Sequence, residues 1–124
     1  MSYQKRSVLK LFLKILLFTV FCYTNSFSQI DNFTLSVSST NETCAANGTL
    51  SFSISNPLAG ASVLFSIYKL PNITTPITVT STSPFTGLGA GTYRVVATQS
   101  LGSLSASKQQ EVTIQNLIAP LTYQ

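Results

Sequence analysis

Beyond position 28, the chain carries one thiol, Cys44, and three carboxylates, Asp31, Glu42 and Glu111, as its candidates for nucleophile, general base or metal ligand. Acid–base catalysis needs two such groups held on either side of a reacting bond. The three carboxylates fall on different segments, and the chain has no histidine to partner them. Cys44 therefore lacks a base to activate it, and no Gly-x-Ser-x-Gly elbow offers another nucleophile. A calcium loop concentrates its oxygen ligands in one short run, whereas Asp31 and Glu42 flank a strand and would meet only through tertiary folding. Gly87, Gly89 and Gly91 crowd one turn, but no helix start or lysine follows to cradle a phosphate. These residues argue against an enzyme and imply neither cofactor nor metal.

The charge is just as uneven. The net charge is +4, yet Lys5, Arg6, Lys10 and Lys14 all precede the first sustained apolar run. After residue 28, Lys69, Arg94 and Lys108 balance the three carboxylates. The basic isoelectric point thus describes the N-terminus, and nothing in the remainder points to nucleic acid.

The N-terminus reads as a basic stretch to Lys14, an apolar stretch from Ile15 to Tyr23, and a polar tail ending Ser26-Phe27-Ser28. That order is a secretory signal peptide over residues 1–28, with cleavage expected between Ser28 and Gln29. Its uninterrupted apolar run is about half of the ~20 residues that span a bilayer, so contact with a membrane is expected only before cleavage. Phe21 before Cys22 is too bulky for a lipid-attachment signal. Removal of Cys22 leaves Cys44 without a partner for an internal disulfide.

The elements that position these groups follow from alternation. Phe33, Leu35 and Val37 alternate with polar residues, as do Leu50, Phe52 and Ile54; then come Val63, Phe65 and Ile67, with Ile77 and Val79 between threonines. Tyr93, Val95 and Ala97 form a fifth run, and Val112 and Ile114 the last. This is the period of half-buried strands. Asn47-Gly48, Asn56-Pro57, Pro71-Asn72, Pro84 and the stretch from Gly87 to Gly91 mark the turns. Six or seven short strands with one apolar face each predict an all-β sandwich of two packed antiparallel sheets over residues 29–116.

Within the glycine-rich turn, Leu88-Gly89-Ala90-Gly91-Thr92-Tyr93 places a tyrosine at a strand start, in the manner of a tyrosine corner whose hydroxyl bonds back to upstream backbone. Residues 117–124 offer a linker or the first strand of a following copy. Ile118-Ala119-Pro120-Leu121-Thr122-Tyr123 loosely repeats Ile30-Asp31-Asn32-Phe33-Thr34-Leu35 and suggests a longer tandem array.

Cys44-Ala45-Ala46-Asn47-Gly48-Thr49-Leu50-Ser51-Phe52, followed later by Phe85-Thr86-Gly87-Leu88-Gly89-Ala90-Gly91-Thr92-Tyr93-Arg94-Val95, resembles the SprB-like gliding-motility repeat of Bacteroidota surface adhesins. The resemblance covers roughly residues 33 to 116. It implies an immunoglobulin- or fibronectin type III-like antiparallel β-sandwich, a role in surface display or adhesion beside neighbouring repeats of the same chain, and export by type IX secretion. Many members of that family carry a second cysteine where this chain has Ser103. By that comparison Cys44 is expected to be a buried or half-buried free thiol near Ser103.

The function expected from these readings is a non-catalytic, secreted or cell-surface adhesin-type module that meets a surface or glycan ligand. Its structural residues are Leu88, Gly91, Tyr93, Cys44 and Ser103. The alternative is a carbohydrate-binding accessory module. Such sites need exposed aromatic platforms, and without tryptophan the candidates are Tyr68 and one of Phe85 and Tyr123. A periplasmic sandwich of unrelated role is a further possibility. Four Asn-x-Thr triplets, at Asn32, Asn41, Asn47 and Asn72, read as coincidence in so threonine-rich a chain.

Overall fold

The computed structural model describes residues 2–22 and 30–122. The expected cleavage position between Ser28 and Gln29, and Tyr123, lie outside the described residues.

The first element, α1 (Ser2–Cys22), is a helix rich in leucine and lysine with no glycine or proline to break it. No helix among the described residues is long and apolar enough to cross a membrane.

Seven strands follow: β1 (Thr34–Thr40), β2 (Gly48–Ser55), β3 (Ser62–Lys69), β4 (Thr78–Thr80), β5 (Phe85–Leu88), β6 (Gly91–Leu101) and β7 (Leu104–Ile114). They form two antiparallel sheets, ordered β1-β2-β5 and β4-β3-β6-β7, packed together as a β-sandwich. The inward residues of both sheets meet in one core. Phe33, Val37, Leu50, Phe52, Phe65, Ile67, Leu88, Tyr93, Val95, Ala97 and Ile114 are all buried. Phe52 of β2 and Phe65 of β3 touch across the interface with ring centroids 4.6 Å apart. Burying side chains of this size contributes about 1.5–3 kcal/mol each, far more than an exposed ion pair.

Two expectations need correction. Ile77 and Val79 do not face the core, being 48% and 53% exposed. The β3–β4 register sets Thr78 opposite Ile67 and Thr80 opposite Phe65, so the threonines share the inward face and the apolar residues turn to solvent. In addition, Gly87 and Leu88, expected in the turn from Gly87 to Gly91, belong with Phe85 and Thr86 to strand β5 against β2.

The chain crosses the sandwich from pole to pole. β6 and β7 pair over eleven residues each, from Gly91 opposite Ile114 to Leu101 opposite Leu104. At ~3.3 Å per residue this hairpin spans about 35 Å. One end, the Leu101 pole, receives the chain at Ile30. The other, the Glu42 pole, releases it after Ile114.

Candidate functional site

The tyrosine turn sits at the Glu42 pole. Buried Tyr93 donates its hydroxyl proton to the carbonyl of Gly89 at 2.7 Å, so its ring fills the core while its polar tip closes the β5–β6 connection. Leu88 is buried directly before that turn. Gly91 has φ +151°, and a Cβ there would stand 3.1 Å from Cε of Lys69. That lysine crosses over the Tyr93 ring, with Nζ 5.6 Å from its centroid. The backbone conformation at the start of β6 therefore favours glycine at position 91, while the flexible end of Lys69 could shift for a side chain there.

Glu42, which the sequence reading treated only as an isolated carboxylate, is the centre of this pole. It is 8% exposed. Its Oε1 accepts the Ala46 N–H at 2.7 Å and its Oε2 accepts the Ala90 N–H at 2.9 Å, joining the β1–β2 loop to the β5–β6 turn. Those two N–H groups, Ala46 first, together with the charge of Lys69, hold the carboxyl below the usual carboxylate range, against the opposite pull of burial. The backbone of Glu42 reaches the last strand as well. Its N–H donates to Gln115 O at 2.9 Å, its carbonyl accepts Leu117 N–H at 2.7 Å, and it faces Asn116 in a parallel bridge. Asn41 Oδ1 accepts the N–H of Gln115 at 3.0 Å.

At the Leu101 pole, Gln99 plays a matching part. Its side chain is fully buried, accepting Leu58 N–H and donating to Ile30 O, both at 2.8 Å. The incoming chain is thereby tied to the β2–β3 loop. Alternation contained this signal, because Tyr93, Val95 and Ala97 lead by steps of two to Gln99. Glu42, in a polar loop, had no such marker.

The expected proximity of Cys44 and Ser103 is not found. Cys44 is an exposed free thiol in the β1–β2 loop at the Glu42 pole, whereas exposed Ser103 lies in the β6–β7 turn at the Leu101 pole. The length of the β6–β7 hairpin separates them. Instead of packing the thiol inward, the loop folds around Asn47, whose Oδ1 accepts the N–H groups of Thr43 and Cys44 at 2.9 and 3.1 Å. Asp31 is also remote from Glu42, lying at the Leu101 pole in an ion pair with Lys108 at 3.1 Å.

On the outer face of the four-stranded sheet, register places Tyr68, Arg94 and Glu111 in one row across β3, β6 and β7. Arg94 donates from Nε and Nη2 to Glu111 Oε1 at 2.9 and 2.6 Å. The row is flat, partly exposed and beside half-buried Tyr68. A shallow open groove of about 580 Å³ at the Leu101 pole is lined by Asn32, Asn56, Pro57, Leu58 and Ala59, none of them ionisable. Among the described residues, no three His, Cys, Asp or Glu side chains gather as a metal site.

No protein-family model, curated protein or solved structure matches the chain.

Proposed function

We propose that residues 29–116 are a non-catalytic, extracellular structural repeat of adhesin type, exported behind residues 1–28 and released by cleavage between Ser28 and Gln29. The observation that carries this reading is the placement of the chain ends. β1 starts at the pole where Gln99 holds Ile30, and β7 finishes at the opposite pole beside Glu42. A module entered at one end and left at the other spaces its neighbours along a line, as a stalk requires. The near-neutral charge after residue 28 fits a spacer better than a module that grips charged polymers.

Strand order supports the fibronectin type III-like variant of the fold. β4 lies beside β3 on the four-stranded sheet, where an immunoglobulin constant domain would set its fourth strand beside β5. The resemblance to gliding-motility adhesin repeats implies surface display through type IX secretion.

A carbohydrate-binding module is the second reading, favoured by the row of Tyr68, Arg94 and Glu111. An aromatic face beside paired charged groups can seat a sugar ring and hydrogen-bond its hydroxyls. A glycan array separates the two readings. The structural repeat gives no specific binding with the wild-type chain, whereas binding that Tyr68→Ala abolishes establishes the lectin instead.

A further inference from the structure

We propose that the junction between residues 37–42 and residues 110–117 is a shear clamp carrying tension through the module, with Asn41 and Glu42 as its locking residues. Its use in the cell rests on the stalk reading above, but its mechanics do not. β1 and β7 belong to different sheets and yet run side by side in the same direction. Five hydrogen bonds link residues 37–42 to residues 110–117, two between the strands and three just past their ends. Glu42 N–H to Gln115 O and Leu117 N–H to Glu42 O, at 2.9 and 2.7 Å, are joined by Gln115 N–H to Asn41 Oδ1 at 3.0 Å. Ser39 Oγ donates to Thr113 O at 3.2 Å, and Gln110 Nε2 to Val37 O at 3.5 Å.

Tension applied at the two chain ends draws β1 toward the Leu101 pole and β7 toward the Glu42 pole. The load lies along the strands, so these bonds share it and must yield together. A load applied across the strands at the Glu42 pole would open them one after another. The Glu42 carboxylate braces the clamp from behind, because its bonds to Ala46 and Ala90 tie the β1 end to the far part of its own loop and to the β5–β6 turn. The bridge at Asn116 therefore cannot slide without also displacing the tyrosine turn.

Single-molecule pulling on the full 124-residue chain with Cys22→Ser tests this. Handles on Asn32→Cys and Leu121→Cys, with Cys44→Ser, apply shear; handles on native Cys44 and Leu121→Cys apply peel. The clamp requires the first extension step under shear to need about twofold more force, or more, than under peel. Removing the Gln115 bond with Asn41→Ala should raise the unfolding rate under constant shear about fivefold. Glu42→Gln should do the same where circular dichroism shows it folded, and Asn41→Ala decides the matter if it does not fold. Equal forces in the two geometries, or no effect of Asn41→Ala under shear, would overturn the clamp. Failure of the stalk reading, through glycan binding or lack of export, would leave these forces unchanged.

Discussion

Glu42 and Asn116 face each other in a parallel bridge, although the strands that lead to them lie in opposite sheets. The bridge closes the side of the sandwich where the first and last strands meet. It also covers part of the free edge of β7, which would otherwise offer unpaired backbone groups to other chains. The carboxylate of the same residue fastens two loops, so one side chain and its backbone organise the whole pole.

Acid should loosen that pole. The folded structure holds the Glu42 carboxyl below its ordinary range, so Glu42 contributes stability above about pH 4.3, and this contribution drains as pH falls through the lowered folded value. Asp31 and Glu111 form exposed pairs worth little by comparison. In urea titrations, wild type should exceed Glu42→Gln in midpoint at neutral pH, and the gap should shrink below pH ~4. Curves that stay parallel would assign the acid response elsewhere.

Gln99 offers a test at the other pole. Gln99→Ala removes the partners of the half-buried Leu58 N–H and Ile30 carbonyl, and should cost about 1–3 kcal/mol. Exposed Gln109→Ala should fall within ~0.5 kcal/mol of wild type. Denaturant midpoints compare the two directly, and equal losses would show that the buried amide contributes no more than a surface residue.

Tyr93→Phe keeps the buried ring and removes one hydroxyl. The lost bond to Gly89 should lower stability by about 1–2 kcal/mol, seen as a lower urea midpoint with an unchanged slope. No loss at all would mean that the ring alone accounts for the tyrosine.

The Cys44 thiol, exposed in its loop, should react with a water-soluble disulfide reagent under native conditions as fast as in urea. Cys44→Ser should change stability by no more than ~0.5 kcal/mol. Strong protection of the native thiol would restore the buried position expected from the family comparison.

Much of the fold was legible because alternation speaks directly about which side of a strand is wet. Leu50 and Phe52, Phe65 and Ile67, and Tyr93 and Val95 all point inward as their spacing predicts. The signal failed at β4, where three residues are too few for alternation to choose a face and the β3 register chose the threonines. It missed β5 because Gly87 and Leu88 read as turn even where β2 provides a pairing edge. Tyr93 was legible from the turn before it. Glu42 was not, because its partners, Ala46, Ala90, Gln115 and Leu117, are backbone groups gathered by three separate loops. Cys44 was misplaced because a family pattern located its partner, and Ser103 sits at the far end of a hairpin whose length the sequence did not reveal.

The claim of an exported structural module is tested most directly by intact-mass analysis of the chain recovered from outside the cells that make it. We expect an extracellular species whose N-terminus is Gln29, without residues 1–28. A chain retained in the cytoplasm with Met1 or Ser2 at its N-terminus would contradict it.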